Sequence, residues 1–260
     1  MSKVIAVTNR KGGTGKSMTS VSLGASLARQ GKRVLIVDAD SQHSATVSLG
    51  VAEPDKLAVS LATIMHRIIM EQEIDPVEGI ISHVEGISLM PSNNGLAGME
   101  IALAPIIGRE TILRQYIDKV RDLFEYILID TAPTLDLLAV NALAAADSVI
   151  IPVVPKYLDA KGLELLLKSI VQTRRHINPQ LAIGGILFTM VDKRANITKE
   201  IISMIKEAYG ESINIYKEPI SHSVRAVETS ATGKSIFEYE PNGRVAMAYA
   251  SLAREVLESA

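Results

Sequence analysis

The sequence predicts a doubly wound α/β fold, a mostly parallel sheet with helices on both faces. Three observations carry it. Short continuous apolar runs alternate with longer segments whose apolar residues recur at helical spacing. The first run leads through a glycine-rich loop straight into a helical pattern, and 260 residues at 47% hydrophobic content suffice for one substantial core. Strands covered on both faces read as unbroken apolar runs, which is the form seen here. One domain over residues 1–260 is expected.

In order, Val4-Ile5-Ala6-Val7 is the first buried strand and Ser17 to Gln30 the first helix. Val34 to Val37 is the second strand, followed by a helix from Ser41 to Leu49. The segment from Glu53 to Ile107 is the least patterned, helical only around Leu57 to Met70, and reads as a variable flank. A helix from Glu110 to Phe124 precedes the strand Tyr126 to Ile129, and a helix from Leu135 to Ala145 precedes the strand Val149 to Val153. Lys161 to His176 is helical, Ile183 to Phe188 is the last clear strand, and helices follow at Thr198 to Tyr209 and Gly243 to Leu257. No internal repeat or low-complexity linker interrupts the alternation.

The loop Arg10-Lys11-Gly12-Gly13-Thr14-Gly15-Lys16-Ser17 carries the chemistry. Its three glycines let successive backbone N–H groups turn inward on an anion, and the following helix adds the positive end of its dipole. This arrangement binds a nucleotide triphosphate, with Lys16 reaching the β- and γ-phosphates and the Ser17 hydroxyl offered to magnesium. The strict phosphate-loop pattern asks for glycine where Arg10 stands, and a second lysine, Lys11, occupies the loop mouth. Lys-Gly-Gly-x-Gly-Lys-Ser resembles the deviant Walker A loop of the ParA/MinD family of ATPases. The resemblance implies that Lys11 reaches across a dimer interface to the partner's nucleotide. It also implies that Gly12, Gly13, Thr14, Gly15, Lys16, Ser17 and Met18 hold ATP. Met18 departs from the family's threonine and reads as packing for the first helical turn.

Val37-Asp38-Ala39-Asp40 places two acids at a strand end, where open α/β sheets bind ligands, and residues two apart share a face. Both carboxylates can therefore point at one phosphate site; alone, they also suit the start of the following helix. The segment resembles the family's Asp-x-Asp-Pro-Gln motif with Ser41 in place of proline, which implies that Asp40 positions the attacking water and Asp38 supports the magnesium shell. Catalytic groups are then Lys11, Lys16 and Asp40. Tyr126-Ile127-Leu128-Ile129-Asp130-Thr131-Ala132-Pro133 is similar to a Walker B strand, with Asp130 expected to hold magnesium through a water and the loop beyond it to sense the γ-phosphate.

Further similarity lies in Ile151 to Leu158, Thr189 to Arg194 and Ser223 to Glu228. It implies that Met190 lines the adenine pocket and that Arg194 and Arg225 bind double-stranded DNA without sequence preference, by charge rather than base readout. Lys193, Lys199 and Lys234 either widen this patch or are ordinary solvated lysines, so the assignment rests on the two arginines, and His222 stands where relatives carry another arginine. The charge balance agrees: from Lys156 onward 14 Lys and Arg face 12 Asp and Glu, +2 against −4 for the remainder. With 4% aromatic residues and no Trp, stacking on single strands has little support.

The implied protein is a DNA-partitioning ATPase with ATP and Mg²⁺ as cofactors. It forms a homodimer on ATP binding, is released from nonspecific DNA by a ParB-like adaptor, and is cytoplasmic and nucleoid-associated. Zero cysteines exclude disulfides and thiolate metal sites, separating the chain from nitrogenase-type relatives. No signal peptide or operator-binding helix-turn-helix is expected ahead of the first strand, and the acidic end of the chain lacks the anchors of a membrane-binding helix. Two alternatives stay open: a ParA-like ATPase that positions a protein cargo, and an ATP-dependent ligase of dethiobiotin synthetase type.

Overall fold

The apolar runs become β1 (Lys3–Val7), β2 (Val34–Ala39), β3 (Ile81–Ser82), β4 (Ile87–Met90), β5 (Tyr126–Thr131), β6 (Ser148–Val153) and β7 (Ala182–Phe188). The computed structural model describes residues 2–134 and 136–259, apart from the side chains of residues 158–160. Leu135, the expected start of a helix, and the side chain of Leu158 lie outside the described residues. The strands form one sheet in the order β3-β4-β2-β5-β1-β6-β7, parallel throughout except for β3 against β4.

Helices α1 (Lys16–Arg29), α2 (Ser44–Ser48), α3 (Leu61–Ile69), α4 (Met99–Leu103), α5 (Ile112–Val120) and α6 (Leu137–Ala145) form the first half. The second half adds α7 (Tyr157–His176), α8 (Asn196–Tyr209), α9 (Val224–Glu228), α10 (Ile236–Tyr239) and α11 (Arg244–Glu258). Successive strand residues point to opposite faces, so each strand feeds two cores. Val4, Ala6, Leu35, Val37, Ile127 and Ile129 pack with residues of α3, α5, α6, α7 and α8. Ile5, Val34, Ile36, Leu128 and Ile150 pack with α1 and α11. This two-sided burial is why the central strands show no polar alternation.

The segment expected as a variable flank contributes two strands, β3 and β4. β4 lies parallel to β2, pairing Val34 with Ile87 through Val37 with Met90. Four residues, one of them Ser88, make too short a signal to read alone; the partner strand makes it a strand. α3 starts later than expected because Ser60 and Thr63 form a reciprocal capping box, and the N–H of Leu61 donates to the Pro91 carbonyl at 2.8 Å, tying α3 to the end of β4.

Because β1, β2, β5, β6 and β7 run the same way, their C-terminal ends share one edge of the sheet. The helix that begins at this edge, α1, is drawn close to the sheet at Gly24: a Cβ there would lie 2.9 Å from Ile36 Cδ1 and 3.4 Å from Leu128 Cδ1. Gly24→Val is therefore expected to lower unfolding stability by about 1–3 kcal/mol through overpacking. Urea denaturation monitored by circular dichroism checks this.

Candidate functional site

The loop between β1 and α1 is held at both ends by residues that the motif does not contain. Asn9, buried at the end of β1, donates its amide to the Pro152 carbonyl at 2.6 Å and accepts the N–H of Lys11 at 3.1 Å. From the end of β7, Thr189 Oγ1 donates to the Thr14 carbonyl at 2.8 Å. Gly13 and Gly15 adopt φ of 72° and 80°, the left-handed region where a side chain is strained, so the loop curls back on itself before α1 begins. Gly15 serves as N-cap without any side-chain cap, which leaves the first N–H groups of α1 facing the loop's concavity. Lys16 is buried, with its ammonium 3.4 Å from the Lys11 carbonyl, and Lys11 stands exposed at the mouth.

Directly below, β2 and β5 set Asp38 beside Asp130 in register. Both are fully buried. Burial, then the charge of Asp38, pushes the Asp130 carboxyl up to about 8, against the pull of Ser17, Lys16 and Ser20. Burial likewise raises Asp38 to about 6. Lys16 is lowered by burial, an effect that Asp130 and Asp40 oppose. Asp130 Oδ1 accepts from Ser20 Oγ at 3.0 Å, whereas Oδ2 is buried with no hydrogen-bond partner.

This donor set fits a hard divalent cation. An unpartnered carboxylate oxygen and the nearby Ser17 hydroxyl are oxygen ligands, and among the described residues no cluster of three His, Cys, Asp or Glu would hold a metal unaided. Magnesium is held in just that way, by one or two protein oxygens with substrate phosphates completing the shell.

Asp38 is used differently from the expectation. Its Oδ2 accepts from Thr46 N–H at 2.8 Å and Thr46 Oγ1 at 2.6 Å, and its Oδ1 from Asp40 N–H at 3.2 Å. In this arrangement Asp38 anchors the loop after β2, and its place in a metal shell rests on the resemblance alone. Thr46 in turn accepts from Ser92 N–H at 2.9 Å, and Ser92 Oγ donates to the Asp40 carbonyl at 2.7 Å. Asp40 is thus fixed from β4, with one carboxylate oxygen accepting from Gln42 N–H at 2.9 Å. Thr46 and Ser92 lie outside every motif, and only their burial in the fold marks them.

At the end of β5, Thr131 Oγ1 donates to the Val7 carbonyl at 3.0 Å, and beyond it Pro133 lies against Gly12 of the loop. Asp136 caps α6 through Ala139 N–H at 3.0 Å, and Glu100 accepts from Leu137 N–H at 3.2 Å. The segment after Asp130 therefore touches the phosphate loop on one side and α4 on the other.

Next to the loop opens a largely apolar cavity of about 280 Å³, lined by Gly15, Ser17, Met18, Met190, Ile220 and Val227 among others. Met18, read from sequence both as packing for the first helical turn and, through the resemblance, as part of the ATP site, borders this cavity as well as the α1 core, with its sulfur 3.2 Å from Ser22 Oγ. Met190, at φ 51°, follows Thr189 and lines the same space. An apolar hollow beside a phosphate cradle is suited to a nucleobase.

Arg194 and Arg225 are brought to one side of the molecule because the N–H of His222 donates to the Val191 carbonyl at 3.3 Å, laying the two segments together. Both arginines are exposed. The rim also carries Arg244, which shares one groove with Lys193 and Arg254 and another with Arg225. Arg244 and Arg254 lie on α11, and no sequence pattern singles them out.

A family model described as AAA domain matches residues 2–183. The chain is 41% identical to sporulation initiation inhibitor protein Soj of Bacillus subtilis over 98% of both chains. It is 32% identical to chromosome partitioning protein ParA of Caulobacter vibrioides, over 98% of this chain and 94% of that one. Among solved structures it resembles cobyrinic acid a,c-diamide synthase from Mycobacterium smegmatis with bound ADP and magnesium, at TM-score 0.86 and 32% identity over 99% of this chain and 95% of that chain.

In an unfolded chain Asp130 ionises near pH 4, in the fold only near 8. Between the two the folded state keeps a proton that the unfolded state has lost, so this group's contribution to stability falls as pH rises. In metal-free, nucleotide-free protein, Asp130→Asn is expected to be more stable than the parent by at least about 2 kcal/mol at pH 8, the gap closing towards pH 4. Denaturant titrations across that range measure it, and a pH-independent gap would refute the buried-charge account.

Proposed function

The chain belongs to the AAA-domain ATPases of ParA/MinD type, with ATP and Mg²⁺ as cofactors, and from that premise we propose that it is a ParA-like ATPase that partitions DNA. One ATPase domain spans residues 1–260. The carrying observation is the Asp130 oxygen left unpartnered beneath a cradle of inward-facing N–H groups, with the Soj and ParA similarity running over nearly the whole chain.

Gly12 to Ser17 wrap the triphosphate, Lys16 bonds its β- and γ-oxygens, and Met18 and Met190 flank the adenine. Ser17 and Asp130 hold Mg²⁺, supported by Asp38 behind them; the bound ion supplies neutralisation of phosphate charge. Asp40, fixed through Gln42 N–H and Ser92, orients the attacking water, which positions the reactants rather than activating them strongly, so hydrolysis is slow. Lys11 reaches the nucleotide of a second copy, making the site complete only in the ATP-bound homodimer. Arg194 and Arg225 then hold duplex DNA by its phosphates, and a ParB-like adaptor stimulates hydrolysis and release. The cycle runs in the cytoplasm on the nucleoid. The likeness to the synthase favours a second reading, an ATP-dependent ligase, which requires appreciable turnover with a small-molecule acid and no adaptor.

Lys16→Ala is expected to weaken binding of a fluorescent ATP analogue by about 10- to 100-fold, because it removes charge-assisted bonds to the phosphates. Binding of undiminished strength would sink the site assignment. Arg225→Glu is expected to reduce affinity for a random-sequence duplex by at least about tenfold at low salt. Fluorescence anisotropy with ATP and Mg²⁺ reads it, and an unchanged salt-dependence curve rejects the surface.

A further inference from the structure

Arg225 is not idle in the fold. Its Nη1 lies 2.5 Å from Oε1 of Glu240, and the two side chains differ in exposure, 64% for Arg225 against 26% for Glu240. Glu240 is the fixed member of the pair. Its N–H donates to the Ile236 carbonyl at 2.9 Å, its own carbonyl accepts from Gly243 N–H at 2.9 Å, and its carboxylate packs so closely on Gly243 that a Cβ there would sit 2.6 Å away. The Glu240 backbone is hydrogen-bonded at both its N–H and its carbonyl and the side chain packs on Gly243, while the more exposed arginine reaches over from α9.

The pair lies in a groove of about 320 Å³ whose charged members are Arg225, Arg244 and Glu240, with His222 at its side. Glu240 is the sole acid among the residues lining it. A groove lined by two arginines, one of them already paired with the single carboxylate, is an anion site with an internal anion in it. The opposite side of α9, at Ala226 and Val227, lines the cavity beside the phosphate loop, so the element bearing Arg225 adjoins the nucleotide compartment. Elsewhere on this rim Lys193 meets Glu218 at 3.3 Å and Lys234 meets Glu238 at 3.8 Å, but those acids are half exposed, whereas Glu240 is only 26% exposed.

We propose that Glu240 is an intramolecular competitor of the DNA backbone, holding Arg225 until a phosphodiester displaces it. The proposal rests on the reading of Arg225 as a DNA contact and adds how that contact is attenuated. Exposed ion pairs are weak, so phosphate can displace this one, but each displacement subtracts from the affinity that counterion release supplies. The result is a surface that lets go readily, as a reversible DNA clamp must.

The test compares Glu240→Gln with Glu238→Gln, which removes the same charge two residues away, in anisotropy titrations of a random-sequence duplex over a range of KCl with ATP and Mg²⁺. Glu240→Gln is expected to tighten binding at least about threefold more than Glu238→Gln and to steepen the salt slope by up to about one counterion. In an Arg225→Ala background the extra gain must vanish, since the acid acts through that arginine. Glu240→Ala must reproduce the gain, which guards against a local effect of the glutamine. Equal gains from Glu240→Gln and Glu238→Gln, or a gain that survives Arg225→Ala, overturns the competitor while leaving the DNA reading standing. No duplex binding by the parent protein under ATP overturns both.

Discussion

Two carboxylates buried side by side constrain everything around them. β2 and β5 are adjacent parallel strands in register, so Asp38 and Asp130 reach the sheet edge at the same level and cannot both ionise cheaply without help. The fold answers on each side. Asp38 is satisfied by Thr46 and the Asp40 N–H, while Asp130 keeps one oxygen unbonded under Lys16. A cation that neutralises Asp130 also relieves its repulsion with Asp38, so stability and ligand binding are linked at one atom.

The groups around that atom belong to separate layers, and this gives the site its coupling. Thr189 brings the end of β7 onto the phosphate loop, Ser92 brings the end of β4 onto Asp40, and Pro133 lays the segment after β5 against Gly12. Each contact joins loops that leave different strands at the same edge of the sheet. α9 extends the chain of contacts outward, with one side on the nucleotide-side cavity and Arg225 on the other. Differential contact with these loops is the physical means by which occupancy can be felt at the rim.

Much of this was legible in the sequence for identifiable reasons. Central strands buried on two faces must be apolar without a break, which exposes β1, β2, β5 and β6 to inspection, and the edge strand β7 is readable from its apolar end; β4 has four residues and becomes a strand only beside β2. The glycines of the loop are readable because positive φ at Gly13 and Gly15 excludes most side chains. Asn9, Thr46 and Ser92 were not readable, since a small polar residue signals nothing until a buried backbone group 30 or more positions away needs it, or a carboxylate does. Arg244 escaped for a similar reason: one arginine on a helix is ordinary until the fold sets it beside Arg225.

Local chemistry in the sequence determined the alternation of strand and helix, the cradle around Lys16, and the placing of acids at strand ends, because each depends on residues close together in the chain. Only the tertiary structure decided that both Asp38 oxygens are already hydrogen-bonded while one oxygen of Asp130 is not, that Met18 borders a cavity, and that Arg225 faces an acid. Those outcomes depend on strand register and on which hydrogen bonds are already filled, and both are fixed by partners distant in sequence.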